Sequence, residues 1–165
     1  MTINLAEGIA FLSLIVAIAA AIFAKNSSSK ANKIAQENLN IQNGMVELEM
    51  RQAIENAKTK LNDIALLMAP LVSKEDAESL DDEAKSTLTY YRKNFNAAIE
   101  SLLNTYDDAC SKYIDGKVDK ERFRKTYKYE IRNLLERPDL KEFFDPLTSR
   151  YRTIINVYTE WEKLE

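Results

Sequence analysis

Histidine is absent from the 165-residue chain, and cysteine occurs once, at Cys110. Without histidine there is no imidazole general base, no Ser-His or Cys-His nucleophile pair and no His-ligated metal. A single cysteine excludes an intrachain disulfide, a CxxC zinc site and an iron–sulfur cluster within one copy. Glycine and proline are scarce, 3 of each, so turns are few and elements long. Aromatic residues are missing between Phe23 and Tyr90, whereas all 8 Tyr and the single Trp lie in 90–165. These absences predict an all-α protein with little conventional catalytic chemistry, no metal and no cofactor.

What the chain does have is unevenly spread. From Leu5 to Ala24 it reads LAEGIAFLSLIVAIAAAIFA, with Glu7 as its only charge. Twenty helical residues rise about 30 Å, the thickness of a bilayer core. A signal peptide would want a basic leader, and residues 1–7 hold no Lys or Arg, which disfavours cleavage at a site such as Ala17-Ile18-Ala19. The expectation is a single-pass membrane anchor over 1–25. Lys25, Lys30 and Lys33 follow the run and no basic residue precedes it. The positive-inside bias then leaves the N-terminus outside and 25–165 in the cytoplasm. Ala6, Ala10, Ser13, Ala17, Ala20 and Ala24 recur at intervals of 4, 3, 4, 3 and 4. Such a stripe of small residues lets membrane helices pack closely and predicts self-association.

Residues 26–72 read as a stalk helix. The polar stretch NSSSKANK is either a joint or a continuation of the preceding helix. Beyond it Ala31, Ile34, Asn38, Ile41, Met45 and Leu48 alternate at 3 and 4, a short heptad pattern in which Asn38 could fix register. Ile54, Ala57, Leu61, Ile64 and Met68 resume the pattern until Pro70, which is expected to stop it. Residues 73–83 form an acidic hinge with 6 carboxylates and one Lys; Asp81, Asp82 and Glu83 suit the positive N-terminal end of a following helix.

Residues 84–165 are expected to form an antiparallel helical bundle. Ala84, Leu88, Tyr91, Phe95, Ala98, Leu102, Tyr106, Ala109 and Tyr113 mark one face of a long helix, closed by Asp115-Gly116. Asp119 can cap a helix through 136 bearing Phe123, Tyr127, Ile131 and Leu134. Pro146 is expected to open a last helix with Tyr151, Ile154, Tyr158 and Trp161. Between 117 and 137 lie 8 basic residues against 4 acids, with Tyr127 and Tyr129 interleaved. That composition suits RNA stacking and phosphate contact, but with a net charge of −3 a solvated, ion-paired face is the preferred account.

The last helix carries Arg150, Arg152 and Asn156 in the string S-R-Y-R-T-I-I-N. An anchor, a small helical bundle and a late Arg-x5-polar motif resemble the small membrane accessory proteins of subtype VI-B, RNA-targeting CRISPR systems, which have a HEPN-like helical domain. The HEPN ribonuclease motif is Arg, four to six residues, then His. Here Asn156 stands where that His would be and cannot shuttle a proton near neutral pH. Arg51 and Asn56 match the looser Arg-x4-Asn form equally well. By resemblance, Arg150, Arg152 and Asn156 are degenerate site residues, and the chain is a non-enzyme linked to an RNA-guided nuclease.

The resemblance further implies an oligomeric pore in the bacterial inner membrane that supports antiviral defence by permeabilisation. Ala6, Ala10, Ser13, Ala17, Ala20 and Ala24, with Glu7 near the mouth, would pack the helices or line the lumen. The expected partners are the lipid bilayer and further copies of the chain. The alternatives are a membrane-tethered helical adaptor recruiting a cytoplasmic partner, and a degenerate HEPN-like ribonuclease.

Overall fold

The computed structural model describes residues 5–76 and 78–163, with side chains described from Ala17 onward apart from Ala19. The fold is all-α. Its elements are α1 (Leu5–Asp76), α2 (Asp82–Ile114), α3 (Lys120–Glu136), a 3-10 segment (Pro138–Phe144) and α4 (Arg152–Glu162). The chain divides into two units, Met1–Gln42 and Asn43–Glu165.

In the first unit every described side chain from Ala17 to Gln42 is exposed. Among the described residues no helix is long and apolar enough to cross a membrane. This overturns the single-pass anchor expected over 1–25, and with it the inner-membrane location, the outward N-terminus and the pore. From Ala17, the first described side chain, the apolar run lasts eight residues before Lys25, too short for a bilayer core. Residues 5–24 are not a separate element bounded at Lys25; they open a 72-residue helix that runs on through the polar NSSSKANK stretch. Ala17, Ala20 and Ala24 are exposed on it; the side chains of Ala6, Glu7, Ala10 and Ser13 lie outside the described residues.

In the second unit α1 supplies Met50 and Ile54 to the core, with Ala57 and Leu61 packed beside them. Pro70 does not stop the helix, which continues to Asp76. Proline releases the carbonyl four residues earlier, here that of Leu66, a residue that is 73% exposed, so water can reach this side of the helix. The helix ends in a Schellman turn instead. The Ser79 N–H donates to the Lys74 carbonyl and the Glu78 N–H to that of Glu75, both at 2.9 Å, with Glu78 left-handed at φ 51°. The end of α2 repeats this turn with Gly116 at φ 69°, Lys117 donating to Lys112 at 3.0 Å and Gly116 to Tyr113 at 3.2 Å. Glycine is the residue that turn normally demands.

Caps set the other helix starts. Asp81 accepts the Ala84 N–H at 2.8 Å and Asp119 accepts that of Arg122 at 2.8 Å, each satisfying a donor that a helix start leaves open. α4 begins at Arg152 rather than at Pro146. The Asp145 carboxylate accepts the N–H groups of Leu147 and Thr148, at 2.9 and 3.0 Å, and holds 145–148 in a turn. α4 has no cap from its own flank. Asp107 of α2 caps it across the fold, accepting from the Thr153 and Ile154 N–H groups at 3.2 Å each.

The core of this unit is aromatic at one end. Trp161 is fully buried and packs edge-on against Tyr113, centroids 5.5 Å apart. Phe123 lies 5.2 Å from Tyr113 and 4.9 Å from Tyr127. Offset and edge-to-face pairs of this kind contribute about 0.5–1.5 kcal/mol each beyond area burial. Leu103, Ile131, Ile154 and Val157 complete the interior.

Candidate functional site

The residues suggested by the HEPN comparison are on the surface. Arg150 precedes α4, and its guanidinium donates to Glu100 of α2 at 2.7 Å while lying 5.3 Å over the Tyr151 ring. Those bonds to Glu100 and Tyr151 raise its pKa and keep it charged. Arg152 and Asn156 are exposed on α4, one turn apart on the same face. The spacing places only Arg152 and Asn156 on the helix, because α4 starts two residues after Arg150. Arg51 and Asn56, the other match, are both exposed on α1. None of these residues has an imidazole beside it, since the chain has no His.

A carboxylate that the sequence did not single out joins three helices. Glu130 of α3 accepts from Lys58 of α1 through both oxygens, at 2.9 and 3.0 Å, and from the hydroxyl of Tyr106 on α2. Three helices therefore meet at one carboxylate. Burial, reinforced by the Glu130 charge, pushes the Tyr106 phenol far above its ordinary value. A phenol held protonated beside a carboxylate already bound to Lys58 positions helices; it offers no base to a substrate. A sequence signal existed, since Tyr106 and Glu130 both fall on the inward side of their helices by spacing, but the pairing spans 24 residues of chain.

Lys117, Arg122, Arg132 and Arg137 of the basic stretch 117–137 are ion-paired. Lys117 pairs with Asp115 at 2.9 Å. Arg122 reaches Glu47 at 2.8 Å and Asp119 at 3.6 Å. Arg132 pairs with Glu162 and Arg137 with Asp139. Lys120 sits 5.0 Å over the Tyr113 ring. A shallow hollow on the outer side of α3 is lined by Glu121, Arg124, Lys125, Lys128, Tyr129 and Arg132. The hinge carboxylate Glu75 pairs instead with Arg92 of α2 at 2.5 Å. Among the described residues no group of three or more His, Cys, Asp or Glu is placed to hold a metal.

Most of the exposed large apolar residues lie on α1. Ile18, Ile22, Phe23, Ile34, Leu39 and Ile41 are 52–77% exposed. Within the second unit, Met45 and Leu48 remain 58% and 56% exposed while Met50 and Ile54 are buried. At 100° per residue, Met45 points opposite Ile54, so within the second unit one side of α1 serves the bundle and the opposite side is exposed. No family model, curated protein or solved structure matches this chain.

Proposed function

We propose that the chain is a non-catalytic helical adaptor, with residues 17–42 of α1 as a docking helix for a helical protein partner. The observation that carries the reading is the exposure of every described side chain from Ala17 to Gln42, six large apolar ones among them. A lone helix in water takes most of its stability from packing an apolar face, and exposed apolar patches on this scale mark interaction surfaces. The bundle supports the same reading from the other side: Glu130, Arg150, Arg122 and Arg132 are engaged in bonds to other elements. A link to an RNA-guided nuclease belongs to this proposal on the strength of the CRISPR resemblance alone.

The test is a photo-cross-linking residue at Ile34 of the full chain, illuminated in the cells that express it. The adaptor reading expects discrete protein adducts at Ile34 and none at Leu147, an isolated apolar residue that is 86% exposed. No adduct at Ile34, or equal labelling at both positions, overturns it.

A further inference from the structure

We propose that the occupant of the docking helix is a second copy of this chain, paired parallel and in register as a two-stranded coiled coil; this rests on the docking reading above. Along α1, Ala17, Ala20, Ala24, Ser27, Ala31, Ile34, Asn38 and Ile41 follow at intervals of 3, 4, 3, 4, 3, 4 and 3. That is an unbroken heptad repeat, with Ala17, Ala24, Ala31 and Asn38 at a and Ala20, Ser27, Ile34 and Ile41 at d. All eight are exposed. In sequence the spacing continues to Met45 and Leu48, also exposed. A repeat sustained without a slip is what two supercoiling helices need to keep their seams facing.

Two features select an identical copy. The first is Asn38, an a-position amide that is both donor and acceptor and needs a matching group once buried. A parallel, in-register pair sets it against its own counterpart and so fixes register and strand number. In an antiparallel pair a positions face d positions, so Asn38 would meet Ala20, Ser27, Ile34 or Ile41 and never its own counterpart. The second is the flanks. The e positions are Ala21, Ser28, Ala35 and Gln42, and the g positions include Lys30 and Glu37. Parallel pairing brings Lys30 beside Ala35 and Glu37 beside Gln42, so no like charges meet across the seam.

The experiment uses the purified full chain in three single-cysteine additions, Ala24→Cys, Ile34→Cys and Lys33→Cys, oxidised separately at low micromolar concentration. Cys110 is fully buried and serves as the internal control. Parallel in-register pairing expects disulfide-linked dimers from both Ala24→Cys and Ile34→Cys and little from Lys33→Cys, which lies off the seam. Absence of the product at both seam positions overturns the proposal; product at only one shows another register or orientation and also overturns it. If no self-cross-link forms while Ile34 photo-labels a different protein, the inference fails and the adaptor reading stands. Asn38→Val provides a second measurement. It is expected to replace one oligomeric species by a mixture, and a single unchanged species would overturn the role of Asn38.

Discussion

The indole N–H of Trp161 donates to the Tyr113 hydroxyl at 3.1 Å, and that hydroxyl in turn donates to Glu160 at 2.8 Å. The bond joins α4 to α2 where the aromatic core is densest. Tyr113→Phe keeps the ring and removes the partner of a buried donor, which costs about 1–3 kcal/mol. Denaturant unfolding should show a lower midpoint with an unchanged slope. A loss well below 1 kcal/mol would mean that the indole finds another partner.

The same hydroxyls make the fold sensitive to base. Burial pushes Tyr106, Tyr113 and Tyr127 above their ordinary value of 10.0. Lys58 is also raised, its bonds to Glu130 outweighing the opposing effect of burial. Above pH about 10 the unfolded chain sheds protons that the folded chain retains, so stability is complete below that pH and falls as pH rises. Thermal melts between pH 8 and 11.5 should be flat at first and then drop. Tyr106→Phe should lower the neutral-pH melting point and soften the alkaline decline, and an unchanged alkaline slope would remove Tyr106 as a cause.

Cys110 has no exposed surface, and burial drives its thiol far above the ordinary range. The thiolate is the reactive form, so alkylation must wait for unfolding or a large local opening. Labelling by a maleimide should be slow in native buffer and rise with denaturant in step with loss of helical circular dichroism. Rapid labelling of the folded chain would contradict this packing of α2.

Two Schellman turns with different residues at the left-handed position offer an internal comparison. Glu78 at φ 51° and Gly116 at φ 69° do the same backbone work. A side chain there costs about 1–2 kcal/mol. Glu78→Gly should therefore stabilise by about 1 kcal/mol and Gly116→Ala destabilise by a similar amount, read from chemical denaturation. A built Cβ at Gly116 meets nothing within 4 Å, so the cost is conformational and not a clash. Equal stability of all three proteins would contradict the assignment.

Much of the helical pattern was legible because buried positions recur at 3 and 4. Phe123, Tyr127, Ile131 and Leu134 are all buried on α3, and Leu88, Ala98, Leu102, Tyr106, Ala109 and Tyr113 on α2. Pro70 misled because a proline is tolerated where water can reach that side of the helix. Pro146 misled because Asp145 forms a local turn that delays α4 to Arg152, and because the cap on α4 comes from Asp107, 46 residues earlier. The apolar run 5–24 reads as a membrane segment when taken alone; over the described residues the helix it opens is not apolar enough to cross a membrane. Spacing also could not distinguish the two sides of α1, since Ile54 and Met45 both fit heptads and only packing shows which one the bundle uses. The Glu130 contacts with Lys58 and Tyr106 were illegible because they depend on three helices being brought together.

The central claim is that α1 pairs with a second copy of itself, and sedimentation equilibrium of the full chain over a range of micromolar concentrations tests it most directly. One chain is 18.9 kDa, so the account predicts a species of about twice that mass. It also predicts that Ile34→Asp with Ile41→Asp, which places charge in the seam and leaves the bundle core untouched, shifts the protein to the single-chain mass. A wild-type protein that sediments as one chain, or a double variant that assembles as the wild type does, would contradict it.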